Sequence, residues 1–332
     1  MKVLVTGGTG YIGSHTAVEL IRAGHEVVIL DNLSNSKIET LDKIEKIVGV
    51  KPAFHKVDLL DYRKTLEVLQ GTKFDTVIHF AGLKAVGESV EKPLDYYENN
   101  IMGTVNLLKA MGKTGVKKLV FSSSATVYGD KGEKSGELVE TMATGIGITN
   151  PYGQTKSMIE QIIRDVCVAD KDFSATILRY FNPVGADKSG LIGEDPNGIP
   201  NNLMPIVVKV YQGKLPKLTI FGDDYATEDG SCKRDFIHVT DLAKGHLAAL
   251  SHMKTGVSVY NLGSGKATSV FEIIRAFEKL SGRELPKEIG ARRAGDLAVV
   301  CANPSLALEE LGWKTELTVE DAICDTLRYI ER

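Results

Sequence analysis

The chain has 332 residues, 43% of them hydrophobic, which is enough for two domains with sizeable cores. Its net charge of -3 argues against nucleic acid as a partner, and no stretch approaches the roughly 18 consecutive apolar residues of a membrane span. Met1-Lys2 leads straight into an apolar run with no signal-type segment, so a cytoplasmic location is expected, and Cys167, Cys232, Cys301 and Cys324 lie too far apart to form a metal-type pair.

Lys2 to Thr6 reads as a buried strand that runs directly into Gly7-Gly8-Thr9-Gly10-Tyr11-Ile12-Gly13. A helical pattern follows from Ile12 to Ala23, then a second strand, Glu26 to Leu30, which ends at Asp31, 18 residues after Gly13. A lone G-x-G-x-x-G means little, but the order strand, glycine turn, helix, strand, acid predicts a dinucleotide site. The glycines let the backbone approach a pyrophosphate at a helix N-terminus, where orphan amides and the helix dipole favour anions. A carboxylate at Asp31 can accept from both adenosine ribose hydroxyls and repels a 2′-phosphate. Asn32-Leu33 supplies no cation to offset it, so NAD is expected rather than NADP.

Further strands are expected near Ala53 to Val57, Thr76 to Phe80, Lys118 to Ser122 and Ser174 to Arg179, alternating with helical segments. That alternation predicts an α/β fold with a doubly wound parallel sheet of Rossmann type. Such sheets bind ligands at strand ends, here Asp58-Leu59, Phe80-Ala81-Gly82, Ser122 to Ser124 and Tyr180 to Gly185. His79, on an apolar strand, reads as a satisfied core histidine and not as a catalyst. After Phe181 the chain turns to loops rich in Gly, Pro and Asn, which indicates a second, smaller α/β substrate domain. The expected division is 1–180 and 181–332, with the segment 236–263 returning to the main sheet.

Asn150-Pro151-Tyr152-Gly153-Gln154-Thr155-Lys156 carries the chemistry. A chain with this content of Tyr and Lys holds about one Tyr-x-x-x-Lys by chance, so context decides. Asn150 is a candidate N-cap and Pro151 suits a first helical position, which places Tyr152 and Lys156 at i and i+4 on one helical face. A nearby ammonium is expected to lower the phenol pKa and make Tyr152 a usable base near neutral pH.

Together the glycine turn, Asp31, Ser122-Ser123-Ser124, Tyr152-x-x-x-Lys156 and Asn99-Asn100-x-x-Gly103-Thr104 resemble the extended short-chain dehydrogenases. Three longer stretches are similar to the UDP-glucose 4-epimerase family. They are His79 to Ser89 (His-Phe-Ala-Gly-Leu-Lys-Ala-Val-Gly-Glu-Ser), Arg179-Tyr180-Phe181-Asn182-Pro183-Val184-Gly185 and Gly198-Ile199-Pro200-Asn201-Asn202-Leu203-Met204-Pro205. The similarity spans nearly the whole chain.

This resemblance implies that NAD is surrounded by Gly7, Gly10, Tyr11, Ile12, Gly13, Asp31, Asn32, Asn35, Ser36, Asp58, Leu59, Phe80, Ala81, Lys84, Asn99, Ser122, Tyr152, Lys156 and Phe181. It implies Tyr152 as the catalytic base, assisted by Ser124 and Lys156. On the nucleotide-sugar side it implies Asn182, Asn201, Asn202 and Leu203 near the diphosphate and sugar and Phe221 near uracil. Arg234, Arg293 and Asp296 then serve phosphate and ribose, the guanidiniums being suited to bidentate pyrophosphate binding. Arg292 reads equally as a solvated surface charge, and Lys84 taken alone reads as an exposed lysine.

The implied reaction is inversion at C4 of a UDP-hexose through a 4-keto sugar, with hydride lent to NAD and returned. Three departures stand out. The loop Asp130 to Ile148 is long and Gly-rich. Phe236 replaces a frequent Tyr near the nucleotide ribose, and Val300 replaces a larger aromatic at the hexose wall, which implies tolerance of UDP-N-acetylhexosamines. A homodimer built on helices from Leu94 to Met111 and Ser157 to Val168 is implied as well. The alternatives are a nucleotide-sugar 4,6-dehydratase, disfavoured because Ser124 is followed by Ala125-Thr126-Val127 and not by an Asp-Glu segment, and a non-catalytic NAD-sensing regulator.

Overall fold

A computed structural model of the chain describes residues 1–131, 136–197, 200, 202–293 and 295–332. In chain order its strands are β1 (Lys2–Thr6), β2 (Glu26–Asp31), β3 (Ala53–Lys56), β4 (Thr76–His79), β5 (Lys118–Ser124), β6 (Ser174–Tyr180), β7 (Asn182–Val184), β8 (Leu218–Phe221), β9 (Lys233–His238), β10 (Gly256–Leu262), β11 (Ala267–Ser269), β12 (Lys287–Gly290) and β13 (Val299–Val300).

Seven strands form one sheet in the order β10-β6-β5-β4-β1-β2-β3, and every pairing in it is parallel. Parallel strands need helical crossovers that cover both faces, so both faces are apolar. Val3, Val5, Ile29 and Ile78 enter one core, while Leu4, Val28, Leu30 and Val77 enter the other. The period-2 alternation of side chains divides them this way. From β1 the chain winds to β2 and β3 on one side and to β4, β5 and β6 on the other, so the crevice between β1 and β4 is the topological switch point. β10 adds the last strand, beside β6.

The helix Pro151–Ala169 begins where local chemistry dictates. Pro151 occupies its first turn, and the Asn150 side chain accepts a hydrogen bond from Gly153 N at 2.8 Å. Its inward face carries Ile159, Ile163 and Cys167, together with two buried charged groups, Lys156 and Glu160.

The remainder folds around a third core that includes Val207, Phe236, Phe277 and Ile323. There β9 pairs with β11, β13 and β7, and β8 pairs with β12. Among the described residues no helix is long and apolar enough to cross a membrane.

Some expected boundaries shift. β5 continues to Ser124, so all three serines lie within the strand, and β2 includes Asp31. The helix expected over Leu94 to Met111 is divided into Pro93–Tyr96, a π-helical turn Tyr97–Met102, and Gly103–Thr114. Wide turns of this kind recur at functional sites. Within this one, buried Asn100 accepts from Leu83 N at 2.8 Å and donates to Leu83 O at 3.0 Å and Thr155 Oγ1 at 3.1 Å. It thereby ties the loop after β4 to the Tyr152 helix.

Candidate active site

One cleft of about 1740 Å³ follows the C-terminal ends of β1, β2, β4, β5 and β6 and continues across the second part of the chain. Every site residue named from the sequence lines this cleft except Asn201. Asn201, with Gly198 and Ile199, lies outside the described residues.

At the β1 end the turn is built from glycine for steric reasons. Gly7 has φ +69°, and a Cβ there would lie 2.7 Å from Ala81 N. A Cβ on Gly13 would lie 2.3 Å from Gly7 O and 2.8 Å from Gly8 Cα. Gly10 caps the helix Tyr11–Arg22 without any side-chain hydrogen bond to its first turn, which leaves amide donors facing the cleft. At the end of β2, Asp31 is buried, and its carboxylate accepts from Thr9 N at 3.2 Å, Leu33 N at 2.9 Å and Ser36 Oγ at 3.1 Å. Asn32 donates to Asp58 Oδ2 at 2.9 Å, so the segments that follow β2 and β3 are held together. Asn35 accepts from Asn197 N at 3.1 Å.

Lys84 is paired. Its Nζ lies 3.3 Å from Glu194 Oε1 and 6.0 Å from the centre of the Tyr11 ring. Glu194 also accepts from Asn202 Nδ2 at 3.1 Å. Sequence reasoning did not assign Glu194 or Thr9 a place in the site, although both line the cleft. An acid flanked by glycine and aspartate in a polar loop carries no periodic signal that could have revealed it.

Around Tyr152 three consecutive serines of β5 meet the neighbouring helix. The Ser122 carbonyl accepts from Lys156 Nζ at 2.6 Å, Ser123 Oγ donates to Glu160 Oε1 at 2.6 Å, and the Ser124 hydroxyl lies against the Tyr152 phenol. Thr126 Oγ1 in turn donates to Ser124 Oγ at 3.0 Å. Lys156 Nζ is 5.8 Å from the Tyr152 ring centre and 4.9 Å from that of Phe121.

The expected lowering of the Tyr152 pKa does not hold for the protein alone. Burial raises it, and the contact with Ser124 only partly opposes that rise. Burial also lowers Lys156 from 10.5 to about 8, against the opposing pull of Glu160. The error came from weighing the cation without the desolvation that brings it near. His79 is a core residue: its ring nitrogens pair with Thr6 Oγ1 at 2.7 Å and Thr104 Oγ1 at 2.9 Å, and burial lowers its pKa to about 3.

At the far end, Asp296 joins two arginines. Its carboxylate lies 3.3 Å from Arg234 Nη2 and accepts from Arg293 Nε at 3.0 Å, while the Arg293 guanidinium sits 4.9 Å from the Phe221 ring centre. Arg234 also donates to the carbonyls of Lys233 and Leu297, each at 2.8 Å. Arg292 is not part of the cleft wall; it stacks on Tyr225 at 4.2 Å and donates to Asp224 Oδ1 at 2.7 Å. Val300 stands opposite Arg234 in the β13 to β9 pairing and packs against a small core that includes Tyr128, Leu138 and Phe181. Asn182, Leu203 and Phe236 complete this wall. Among the described residues no group of His, Cys, Asp or Glu is arranged to hold a metal ion.

Comparison with known proteins places this geometry. Residues 3–263 match the model of the NAD dependent epimerase/dehydratase family. The chain is 54% identical over 331 residues to the UDP-glucose 4-epimerase of Bacillus subtilis (strain 168), covering 99% of this chain and 96% of that protein. Its identity to the UDP-glucose 4-epimerase of Mus musculus is 53% over 334 residues, covering 98% and 95%. The crystal structure of the UDP-glucose 4-epimerase from Bifidobacterium longum in complex with NAD+ and UDP superposes with a TM-score of 0.95 at 51% identity, covering 99% of this chain and 98% of that one. The chain therefore belongs to the NAD dependent epimerase/dehydratase family and, within it, to the UDP-glucose 4-epimerases.

Proposed function

We propose that this chain inverts C4 of UDP-hexoses, interconverting UDP-glucose and UDP-galactose with NAD as a resident cofactor. The observation that carries the reading is the convergence, in one cleft, of the glycine turn with Asp31, the Ser124, Tyr152 and Lys156 group, and the Arg234, Asp296 and Arg293 group. The first suits a dinucleotide, the second proton transfer, and the third a nucleoside diphosphate.

The cradle fits the cofactor. Any Cβ at Gly13 collides with the backbone of the turn, and the amides at the start of the helix Tyr11–Arg22 are not satisfied by a side-chain cap. Asp31 and Asn32 would hold the adenosine ribose, Lys84 and Asn99 the middle of the molecule, and Lys156 the nicotinamide ribose. When bound, NAD takes hydride from C4, returns it, and brings a positive charge into the cleft.

Tyr152 moves the proton. Ser124 touches the phenol and is itself oriented by Thr126, so it can pass the sugar 4-hydroxyl proton to Tyr152 or align it for direct transfer. Lys156, pinned to the Ser122 carbonyl, keeps a cation beside the phenol and favours its ionised form against burial. Once C4 is a ketone, Tyr152 holds the proton until hydride returns to the opposite face. For inversion, the hexose must turn over while its UDP stays fixed. The charged anchors lie on Arg234, Asp296 and Arg293, and Val300 offers the hexose side a small apolar surface.

Three narrower readings accompany this one. We propose a division into an NAD-binding domain, 1–180 with the returning segment 236–263, and a UDP-sugar domain, 181–332, supported by β10 lying in the main sheet. We propose a cytoplasmic homodimer, supported by exposed Leu94, Met102, Met158 and Val168 on helices flanking the site. The small Val300 supports use of UDP-N-acetylglucosamine as well. Incubating the purified protein with UDP-galactose and separating the products tests the main reading, which requires UDP-glucose to form without added NAD. Light scattering of the same preparation tests the dimer.

A further inference from the structure

Two charged side chains next to the proton-transfer group have no part in the mechanism above. Glu160 and Arg179 are only 2% and 1% exposed, and Arg179 is the largest fully buried side chain described. The carboxylate takes both prongs of the guanidinium, with Nε to Oε1 at 3.0 Å and Nη2 to Oε2 at 2.7 Å. Ser123 Oγ donates to the same Oε1 at 2.6 Å. The guanidinium is held further by the Tyr128 hydroxyl at 2.9 Å and the Glu140 carbonyl at 3.3 Å. Two charges removed from water this completely are costly, and apolar residues would fill the space as stably, so the pair asks for a reason beyond stability.

Position supplies one. Tyr152, Lys156 and Glu160 stand at i, i+4 and i+8 along one side of a single helix, with Tyr152 half-buried and Lys156 and Glu160 buried. The strand beneath fixes each in turn: Ser124 lies at Tyr152, the Ser122 carbonyl holds Lys156, and Ser123 holds Glu160. Lys156 is therefore a cation with an immobile anion one turn away, and that anion cannot swing closer because Arg179 and Ser123 take its oxygens.

We propose that Glu160, locked by Arg179 and Ser123, is a positioning residue whose charge keeps Lys156 protonated at working pH and so keeps Tyr152 able to act as a base. The assignment rests on the reading of Tyr152 and Lys156 given above. Burial alone drives Lys156 downward, and Glu160 is the group that opposes it. Other titratable groups near the pair do not supply the charge. His79 is held neutral by burial, Tyr96 and Tyr180 have raised pKa values, and Arg164, 3.9 Å from Glu160, lies on its far side along the helix and is itself a cation.

The test is the pH dependence of kcat for UDP-galactose conversion by the wild type, Glu160→Gln, Glu160→Asp, and the double variant Glu160→Gln with Arg179→Gln, each checked for bound NAD and melting temperature. The wild type should lose activity on the alkaline side as Lys156 gives up its proton. In Glu160→Gln that limb should move to lower pH by about one to two units, the size expected for a charge one helical turn away at an effective dielectric near 20. Glu160→Asp should restore most of the shift. The double variant, which leaves no buried cation unpaired, should fold even if the single one does not and should keep a smaller shift in the same direction. A folded variant with lower activity but an alkaline limb at the wild-type position overturns the inference and leaves Tyr152 untouched. A wild type that does not interconvert the two sugars overturns the functional reading itself, and the inference with it.

Discussion

Replacing Tyr152 by Phe removes one oxygen and leaves the ring, the helix and Lys156 in place, so rate and stability should respond on different scales. The phenol lies against Ser124, whose hydroxyl keeps its bond from Thr126 after the change. Losing one such contact is worth about 1 kcal/mol of stability, because net hydrogen-bond contributions cluster there. Losing a general acid/base lowers turnover by roughly 10²- to 10⁴-fold, equivalent to about 3 to 5 kcal/mol in the barrier. NAD should stay bound, since the glycine turn, Asp31 and the bond from Lys156 Nζ to the Ser122 carbonyl are unaltered. The assay is kcat for UDP-galactose conversion, measured with the NAD content after denaturation and the melting temperature of the same sample. A variant that melts normally, carries NAD and turns over within a few-fold of the wild type would refute the reasoning.

Gly13→Ala should lose NAD on purification, because its Cβ would lie 2.3 Å from Gly7 O and the turn cannot close around it; full cofactor content in this variant would contradict the cradle. The wild type should purify with NAD and accumulate no stoichiometric NADH during turnover, which absorbance at the NADH band reads directly. For Val300→Tyr, the ratio of kcat/KM for UDP-N-acetylglucosamine over UDP-glucose should fall by roughly 5- to 150-fold, the range that about 1 to 3 kcal/mol of pocket discrimination gives. An unchanged ratio would mean that Val300 only packs.

The nucleotide end of the site was legible because its signals are local. A strand, a glycine turn, a helix and an acid follow one another within about thirty residues, and each obeys a steric or hydrogen-bonding rule that sequence alone can apply. The Tyr152 helix was legible for the same reason, through Asn150 and Pro151. By contrast, Arg234 and Asp296 stand 62 positions apart. Only the pairing of β13 beside β9 brings them together, and only the family resemblance anticipated it. Arg179 gave a signal that was not used: a lone charged residue inside the β-rich run Ser174–Tyr180 demands a buried partner, and Glu160 is that partner. The direction of the Tyr152 pKa in the protein alone was not legible, because burial is a property of the whole fold, whereas the i, i+4 spacing to Lys156 is a property of one helix.

The central claim is that hydride leaves C4 and returns to the same sugar without leaving the protein. UDP-galactose carrying deuterium at C4 tests it most directly. The account predicts UDP-glucose that retains the deuterium at C4, with none in water or in free NADH. Deuterium lost to solvent, or appearing in NADH that accumulates with product, would contradict it.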